Sequence, residues 1–348
     1  MVQKNNNTKN TKKICVLGAG SWGTALASLL AGNNHDVYLW GRDKAFIDSL
    51  TKSGVNEKYL PRIKLNENLK YTSDFDFAVS ISDIILISTP SNTLNLILHK
   101  IKKHLHNSNK HLVLTCKGFN PDTGAFLSNS IDDMFAEHLN GNSYSILSGP
   151  SFAVDLANGL PTSVVVASKS SKIAKEMALV FHSNSFRVYD NTDIYGVQLG
   201  GAVKNIIAFM AGIAYGLELG SNSHAALITR GLNEIIRLGK AMKELKVKTN
   251  TLIGLSGLGD LVLTAGDDKS RNRRFGIYIA QGKSLETALE FVGQTVESRF
   301  AVKHAYNLSK KYNIELPITE QAYGILYKNL PAKDAIKNLL NRAQKSEY

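Results

Sequence analysis

The chain has 348 residues, of which 43% are hydrophobic and 20% charged, with 27 glycines but only 7 prolines. This composition is ordinary for a folded globular protein, and the length exceeds what one hydrophobic core usually serves, so we expect two domains. The 41 lysines and arginines outnumber the 29 aspartates and glutamates, which gives a formal net charge of +12. Four of those lysines lie in the first thirteen residues and the rest are spread along the chain. The charge therefore favours anionic ligands and does not predict a nucleic-acid-binding face.

Cysteine usage and the N-terminus indicate the compartment. Cys15 and Cys116 are too few for a disulfide framework and lack the spacing and histidine neighbours of a metal site, so we expect no metal and a reducing environment. Cys116 ends an apolar run and is interpreted as a small buried hydrophobe rather than a reactive thiol. No apolar stretch suits a signal peptide or a membrane span. The sequence predicts a cytoplasmic protein with a disordered leader over residues 1–12.

Strand-like and helix-like segments alternate through the first half of the chain. The apolar run 14–17 is predicted to be a buried strand, and the glycine-rich segment 18–23 opens a helix that continues to Ala31 and ends at Gly32. Further strands, with helical stretches between them, are predicted at 36–40, 83–88, 112–116, 145–147 and 163–167. Strands separated by helices predict a parallel, doubly wound α/β sheet.

The second half of the chain has a different pattern, because the strand signal stops after about Tyr189. Helices separated by short breaks containing Gly, Asn or Pro are predicted at 196–217, 223–245, 271–281, 284–292, 299–312 and 332–343. The second half is therefore expected to be all-helical.

The segment GAGSWG at 18–23 matches the pattern G-x-G-x-x-G directly after a buried strand and at the start of a helix. In that context Gly18 permits a tight turn, Gly20 lets the backbone approach a pyrophosphate, and Gly23 allows close helix packing. The helix N-terminus offers free N–H groups to the phosphates. We therefore expect a Rossmann-type dinucleotide-binding domain over residues 13–190, followed by a helical substrate domain over 191–348.

The end of the second predicted strand lacks the acid that would bind the ribose 2′-hydroxyl of NAD. The chain there has LWGRD at 39–43, so the acid is displaced and Arg42 stands close by. Arg42 could face a 2′-phosphate or stack on adenine, which means that NADPH is tolerated as well as NADH. The alternative is a solvated loop arginine.

Lys204 lies in a helix that is apolar nearly all round, with Val203, Ile206 and Ile207 beside it. Such a helix is buried, and an unpaired buried lysine is rare because burial disfavours its charged form. Lys204 is therefore a candidate acid/base that protonates a developing alkoxide as hydride arrives. The alternative is a lysine that extends to the surface from the first turn of the helix.

Two further segments supply groups that suit such a site. GLGD at 257–260 offers Asp260 to hold the lysine, although Asp260 could equally be a helix N-cap. SRNRR at 270–274 stands at a predicted helix start, where exposed N–H groups and a forked guanidinium suit a phosphate monoester. A basic surface run that is merely solvated is the alternative for SRNRR.

Together these motifs resemble the bacterial-type NAD(P)-dependent glycerol-3-phosphate dehydrogenases. The resemblance covers the chain after the leader and rests on nine ordered blocks, namely GAGSWGTALA, TCKGF, LSGPSFA, GVQLGGAVKNIIA, ALITRGLNEIIRLG, GLGDLVLT, SRNRRFG, TVESR and LPITE. It implies reversible hydride transfer between NADPH or NADH and carbon 2 of dihydroxyacetone phosphate, giving sn-glycerol 3-phosphate for phospholipid synthesis. It also implies a homodimer.

The resemblance implies roles for individual residues. Lys204 matches the proton donor and acceptor, and Lys117 matches a lysine that touches both substrate and cofactor. The family's other substrate-side residues are matched in this chain by Gly149, Ser151, Asn205, Asp260, Thr264, Ser270, Arg271 and Asn272. The family's other cofactor-side residues are matched in this chain by Ser21, Trp22, Arg42, Ala153, Arg271, Thr295 and Glu297. One local departure is Val-Glu-Ser at 296–298, where the family often has Val-Glu-Gly.

Two other functions fit parts of the sequence. Another two-domain NADPH-dependent ketoacid or hydroxyacid reductase would share both halves but would not need the phosphate-binding segment SRNRR. A non-catalytic NADPH-sensing or nucleic-acid-binding protein would use the glycine-rich turn and the positive charge. A pure sensor, however, has no use for a lysine buried in an apolar helix.

Overall fold

The structure is a computed structural model that describes residues 11–106, 108–136, 142–344 and 346, without the side chains of residues 134 and 135. The leader predicted at 1–12 therefore lies outside the described residues as far as residue 10. Lys12, directly before the first strand, pairs with Glu176 at 3.2 Å.

Ten strands are present in the described part of the chain. They are β1 (Lys13–Leu17), β2 (Asp36–Trp40), β3 (Val55–Asn56), β4 (Leu60–Lys64), β5 (Lys70–Thr72), β6 (Ile84–Ile87), β7 (His111–Leu114), β8 (Ser143–Ser148), β9 (Thr162–Ala167) and β10 (Phe186–Asn191). Eight of them form one sheet in the order β10-β9-β8-β7-β6-β1-β2-β5, and β3 pairs with β4 in a separate hairpin. The α/β fold class is confirmed.

The sheet is parallel across its centre, where its strands are buried on both faces. Residues Ile14, Cys15, Val16 and Leu17 of β1 have no exposed surface, as expected for a run of apolar residues in a parallel strand. β1 lies between β2 and β6, and the connections after these strands leave in opposite directions along the sheet. Ligands of open α/β sheets bind at such a switch point, outside the carboxyl ends of the strands.

The sheet differs from the prediction at one pair of strands. β8 and β9 are antiparallel, with Ile146 opposite Ala167 and Ser148 opposite Val165, so the prediction of a wholly parallel sheet is wrong there. Antiparallel neighbours need no crossover helix along the face of the sheet. The chain instead reverses direction through residues 149–161, a connection that includes a short helix at Ala153–Ala157.

Within the described residues, seven α-helices accompany the sheet. They are α1 (Ser21–Gly32), α2 (Lys44–Ser53), α3 (Phe75–Ser80), α4 (Leu94–Lys102), α5 (Leu127–Phe135), α6 (Ala153–Ala157) and α7 (Ser171–Phe181). The α-helices that the structure describes after β10 are α8 (Ile194–Gly216), α9 (Gly220–Ala241), α10 (Thr249–Leu252), α11 (Asp260–Gly266), α12 (Arg271–Ala280), α13 (Leu285–Val292), α14 (Ser298–Lys311), α15 (Pro317–Lys328) and α16 (Ala332–Leu340). The helical second half is confirmed.

Several short elements lie outside the predicted ones. β3, β4 and β5 have two, five and three residues and are partly exposed, so they show neither a buried run nor a clear alternation. β10 is an edge strand of mixed exposure. α10, α11 and α15 were likewise not predicted. β7 ends at Leu114, two residues before the predicted end of that strand.

α8 is the central helix of the second half. Helices α9, α11, α12, α14 and α15 pack around it, and nearly all of its 23 residues are buried. Within the described residues it is the one helix long and apolar enough to cross a membrane, but the apolar stretch that meets this test is buried inside the fold. α12 approaches it at van der Waals distance, because a Cβ on Gly212 would lie 2.0 Å from the Arg273 carbonyl oxygen. This packing holds the middle of α8, with Lys204, beneath the ends of the strands.

Candidate active site

The glycine-rich turn lies between β1 and α1. Gly18 has a φ of +118°, and a Cβ there would lie 2.9 Å from the Ser88 carbonyl oxygen, while a Cβ on Gly23 would lie 2.0 Å from the Gly18 carbonyl oxygen. Gly20 precedes α1 without a side-chain cap, and a Cβ on it would meet no atom within 4 Å. The first turn of α1 therefore presents backbone N–H groups beside open space, a cradle that fits a pyrophosphate.

Three residues around this turn were assigned to the cofactor by the resemblance. The Ser21 hydroxyl donates to the Tyr59 carbonyl oxygen at 2.9 Å, and Trp22 is half-buried against the apolar core below the sheet. Arg42 follows β2, is exposed, and has no ion pair with any described residue. Asp43 is occupied as the N-cap of α2, because its carboxylate accepts from Phe46 N at 3.1 Å. Arg42 is thus the unpaired charge at this edge.

Asp260 holds two lysines from distant parts of the chain. It is the first residue of α11 and is 1% exposed. Its Oδ1 lies 2.5 Å from Lys204 Nζ on α8, and its Oδ2 lies 2.6 Å from Lys117 Nζ, which follows β7. Lys204 Nζ also donates to Thr264 Oγ1 at 2.8 Å. The lysine and the acid singled out in the sequence are therefore a buried, hydrogen-bonded cluster with Lys117 as its third member.

The cluster shifts the pKa values of its members. The pKa of Lys204 is lowered from 10.5 to about 7, chiefly by burial; the charge of Asp260 raises this pKa and the charge of Lys117 lowers it. Burial alone would raise the pKa of Asp260, but the two ammonium groups outweigh burial and hold it below its usual value. Lys204 can therefore exchange a proton near neutral pH beside a carboxylate that stays ionised.

Lys117 ties this cluster to the turn after β8. Its Nζ donates to the Gly149 carbonyl oxygen at 2.9 Å, and the Ser151 hydroxyl donates to the same oxygen at 2.9 Å. Gly149 has a φ of +142°, and a Cβ there would lie 2.9 Å from Val164 Cα. Ala153 begins α6 just beyond this turn. The loop between the antiparallel strands thus brings Gly149 and Ser151 to the lysines.

Cys116 precedes Lys117 and packs partly buried against the core on one face of the sheet. Burial raises the pKa of its thiol to about 12, so a nucleophilic thiolate is disfavoured.

The basic residues of the segment 270–274 differ in whether they have a partner within the protein. Ser270 caps α12 by accepting from Arg273 N at 3.3 Å. Arg273 is 5% exposed, pairs with Asp268 and lies over the Tyr215 ring at 4.3 Å. Arg274 donates to the Asp268 carbonyl oxygen at 2.6 Å. Arg271 is exposed at the start of α12 and has no ion pair in the described part of the chain. Its guanidinium is therefore the one in this segment left for a ligand.

Two asparagines connect the start of α12 to the lysine cluster. Asn272 Nδ2 donates to Asn205 Oδ1 at 3.0 Å, and Asn205 directly follows Lys204. Asn272 Oδ1 in turn accepts from Ser298 N at 3.0 Å at the start of α14. The phosphate-site candidates and the acid/base candidate therefore lie side by side.

Glu297 lies between the two halves of the chain. Its Oε2 accepts from the Ser91 hydroxyl at 2.8 Å and would lie 3.3 Å from a Cβ on Gly118, the residue after Lys117. Burial raises the pKa of Glu297, while the Ser91 hydrogen bond and the charge of Arg271 act in the opposite direction. Thr295 is half-buried two residues earlier. Glu297 and Arg271 thus belong to the same region as Lys117.

The structure brings some predicted residues together and leaves others apart. Among the described hydrogen bonds and ion pairs, none joins Ser21, Trp22 or Arg42 to the lysine cluster, and these residues surround the glycine turn instead. Ser91 and Ser148 border the site and were not singled out. Ser148 lies within the block LSGPSFA, whereas Ser91 lies in none of the nine blocks. The signal that both share is a position at or just beyond the carboxyl end of a strand, β6 or β8.

Comparison with known proteins gives consistent matches over nearly the whole chain. The family models for the N-terminus and the C-terminus of NAD-dependent glycerol-3-phosphate dehydrogenase match residues 13–174 and 193–337. Glycerol-3-phosphate dehydrogenase [NAD(P)+] of Shewanella halifaxensis is 44% identical over 342 residues, which are 97% of this chain and 98% of that protein. The enzyme of the same name from Colwellia psychrerythraea is 44% identical over 336 residues, or 96% and 98% of the two chains. The crystal structure of glycerol-3-phosphate dehydrogenase from Coxiella burnetii superposes with a TM-score of 0.88 at 38% identity, covering 95% of this chain and 99% of that one.

Proposed function

Since this chain belongs to the family of NAD-dependent glycerol-3-phosphate dehydrogenases, we propose that Lys204 is its proton donor and acceptor, assisted by Asp260 and Lys117. The enzyme carries out reversible hydride transfer between NAD(P)H and carbon 2 of dihydroxyacetone phosphate, which gives sn-glycerol 3-phosphate. The observation that carries the residue assignment is the single carboxylate of Asp260 in contact with both lysines, at 2.5 and 2.6 Å.

The residues around the glycine turn fit the nicotinamide dinucleotide. Gly18, Gly20, Gly23 and the first turn of α1 would hold the pyrophosphate, because they leave backbone N–H groups beside open space. Ser21, Trp22, Arg42, Ala153, Thr295 and Glu297 would complete the contacts. When bound, the reduced nicotinamide supplies the hydride for the carbonyl carbon. We assign residues 13–190 to dinucleotide binding and 191–348 to substrate binding.

Lys204 acts on the oxygen of that carbonyl. As the carbon is reduced, the oxygen gains negative charge, and the Lys204 ammonium group donates a proton to it. In the reverse direction the neutral amine accepts the proton of the hydroxyl group. Lys117 places a second positive charge near the same oxygen and polarises it. Asp260 holds both lysines in place, and Thr264 accepts a hydrogen bond from Lys204 at 2.8 Å.

The phosphate of the substrate binds at the start of α12. Arg271 provides a charged fork, and the N-terminal N–H groups of α12 add their positive dipole. Ser270 and Asn272 flank this position, and Asn205 connects it to Lys204 through the 3.0 Å hydrogen bond from Asn272. Gly149 and Ser151 contact the substrate from the turn beside Lys117. A fixed phosphate orients a small substrate so that its carbonyl group faces the lysines.

A direct test is to supply purified protein with dihydroxyacetone phosphate and either NADPH or NADH and to follow the absorbance of the reduced nicotinamide. We expect turnover with dihydroxyacetone phosphate and its loss on replacement of Lys204. Turnover with unphosphorylated ketoacids equal to that with dihydroxyacetone phosphate would instead favour the ketoacid and hydroxyacid reductases. Nucleotide binding without turnover would favour a sensor.

We also propose that the enzyme is a cytoplasmic homodimer that supplies glycerol 3-phosphate for phospholipid synthesis. The family resemblance supports this proposal. Light scattering after gel filtration measures the mass of the assembly, and fractionation of cells measures the compartment. A monomer at assay concentration, or recovery with the membrane fraction, would contradict the respective part.

A further inference from the structure

A small cavity of about 10 Å³ lies against the side chain of Lys117, between β8 and α8. Its polar lining includes Ser148, the last residue of β8, and Gln198, in the first turns of α8. Leu127, Ile146 and Val197 contribute apolar walls. The volume is about the smallest that accommodates one water molecule, provided that the water finds two to four polar partners.

The hydroxyl group of Ser148 lacks a partner in the described structure. Ser148 is 3% exposed, and its Oγ is buried without a hydrogen bond to any described residue. A buried hydroxyl group without a hydrogen-bond partner destabilises the folded state, so a partner is expected. The hydroxyl points toward Gly201 on α8, because a Cβ there would lie 3.0 Å from Ser148 Oγ and 3.5 Å from Lys117 Cγ. The unpaired group therefore lies beside the stem of Lys117.

Gln198 offers the second partner. Its Nε2 donates to Ser128 Oγ at 2.8 Å and to the Ile194 carbonyl oxygen at 3.1 Å, so both of its hydrogens are used. Among the described residues, Ser128 N is the one donor to its Oε1, at 3.0 Å. Since a carboxamide oxygen has two lone pairs, one acceptor position remains. The residues that line the cavity thus include a serine with an unpaired hydroxyl group and a glutamine with one remaining acceptor position.

We propose that this cavity holds one ordered water molecule, which accepts from Ser148 Oγ and donates to Gln198 Oε1, and that Ser148 is thereby a positioning residue for Lys117. The inference rests on the role given to Lys117 in the proposed function. Gly149, whose carbonyl oxygen accepts from Lys117 Nζ at 2.9 Å, directly follows Ser148. The bridge therefore fixes both the stem of Lys117 and the backbone that receives its ammonium group.

Loss of the bridge would be transmitted to Lys204. If Lys117 moves, its 2.6 Å contact with Asp260 changes, and Asp260 is the carboxylate that also holds Lys204. Weaker repulsion from Lys117 would raise the pKa of Lys204, so the pH at which reduction slows would move upward. A role limited to stability would leave that pH unchanged.

The first experiment compares Ser148→Ala with the wild-type enzyme. We expect a water peak in the cavity in a high-resolution crystal structure of the wild type and none in the variant. We expect kcat to fall about tenfold, because small displacements of catalytic groups have effects of this size. The KM for NADPH should stay within about twofold, and the midpoint of kcat against pH should rise.

Ser145→Ala is the matched control, because Ser145 lies on the same strand, is fully buried, and is hydrogen-bonded to His111 at 2.9 Å. It should lower stability and leave kcat and its pH midpoint unchanged. Gly201→Ala places a methyl group against Ser148 Oγ and should displace the water. It should lower kcat in the wild type and add little when combined with Ser148→Ala, since the same water is then already lost.

The outcomes separate this inference from the proposed function. An empty wild-type cavity, or a Ser148→Ala enzyme with unchanged kcat and pH midpoint that still requires Lys204, would overturn the inference alone. Retention of activity by a Lys204 variant would overturn the residue assignment of the proposed function. The crystallographic test for the water does not depend on that result.

Discussion

Lys204 is an ionisable group inside a helix whose other residues are nearly all buried. Its charge depends on the balance between burial, which lowers its pKa, and Asp260, which raises it. Because the carboxylate is shared with Lys117, the site retains one positive charge beside Asp260 even when Lys204 is neutral. The chemistry assigned to Lys204 is therefore separable from the stability of the cluster.

The first prediction follows from that separation. Lys204→Met keeps an apolar stem and leaves Asp260 paired with Lys117, so the fold and the affinity for NADPH should be retained. Turnover should fall about 100- to 10,000-fold, the range for loss of a general acid. Steady-state kinetics and a cofactor titration test this, with the exposed Lys240→Met on α9 as control. Turnover above about a tenth of wild type would remove Lys204 from the mechanism.

Arg271 is the free guanidinium at the start of α12, since Arg273 and Arg274 are engaged with Asp268 and its backbone. Arg271→Ala should lower kcat/KM for dihydroxyacetone phosphate by about 30- to 1,000-fold, equivalent to about 2–4 kcal/mol for a charge-assisted contact that also orients the substrate. Arg274→Ala is the matched control and should have a small effect. Unphosphorylated dihydroxyacetone should be a poor substrate that loses little further. Equal losses for both substrates would assign Arg271 to the cofactor or the fold.

Arg42 is the exposed charge at the end of β2, where Asp43 already caps α2. Arg42→Glu should raise the KM for NADPH far more than that for NADH, because the new carboxylate repels a 2′-phosphate but can accept from a 2′-hydroxyl. Michaelis constants for both cofactors measure the effect, and Lys172→Glu, an exposed charge reversal on α7, is the control. Equal changes in the two constants would mean that Arg42 does not face the ribose.

At the level of secondary-structure elements, a side chain of α9 caps the N-terminus of α15. Glu234, in the middle of α9 and 3% exposed, accepts from Ile318 N at 2.5 Å, Thr319 N at 3.1 Å and Thr319 Oγ1 at 2.9 Å. These N–H groups belong to the first turn of α15, which would otherwise be buried without partners. Burial raises the pKa of Glu234 to about 7, although these donors act to lower it. The cap of α15 is thus supplied by a residue 84 positions before Ile318 in the chain.

Removal of this carboxylate should destabilise the helical half. Glu234→Ala leaves buried N–H groups unpaired and should lower the free energy of unfolding by about 2–4 kcal/mol, whereas Glu234→Gln retains an acceptor oxygen and should cost less. Chemical denaturation of the two variants measures the difference. An alanine variant as stable as the wild type would show that the carboxylate is not required as a cap.

At the scale of the whole molecule, contacts across the two halves assemble the site. Lys117–Asp260 and Ser91–Glu297 each join a residue that follows a strand to a residue among the helices.

The sheet that carries one side of these contacts also holds a buried histidine. His111 on β7 is 7% exposed and contacts Ser143 Oγ at 2.7 Å and Ser145 Oγ at 2.9 Å.

This histidine should make the stability of the protein sensitive to acid. Burial lowers the pKa of His111 from 6.5 to about 4, so between those values the unfolded chain binds a proton that the folded chain does not. Protonation of His111 in the unfolded chain therefore lowers the free energy of unfolding as the pH falls from about 6.5 toward 4. The full stability is present above about pH 6.5, and the loss amounts to about 3 kcal/mol. His111→Gln should flatten this part of the curve of unfolding free energy against pH, and the exposed His99→Gln should not. Identical slopes for both variants would contradict the prediction.

Features that depend on neighbouring residues along the chain could be predicted from the amino-acid sequence. A buried apolar run followed by a glycine turn specifies β1 and the start of α1, because the packing rules involve adjacent residues. The even apolarity of α8 marks it as a core helix and makes Lys204 conspicuous, since a lysine in such surroundings needs a partner. The alternation of strands and helices was enough to predict the α/β sheet and the helical second half.

Contacts between residues that are far apart along the chain could not be predicted from the sequence, because they depend on how the chain packs. Asp260 is 143 residues from Lys117 and 56 from Lys204, and no local pattern shows that one carboxylate serves both. In the same way, the structure shows that Arg273 contacts Asp268 and Tyr215 and so is not available to a ligand. It also shows that Glu234 caps α15. The direction of β9 against β8 likewise depends on pairing between strands rather than on either strand alone. Local sequence encodes which residues are apolar, flexible or charged, whereas the partner of each charge is set by chain segments that come together only when the core is packed.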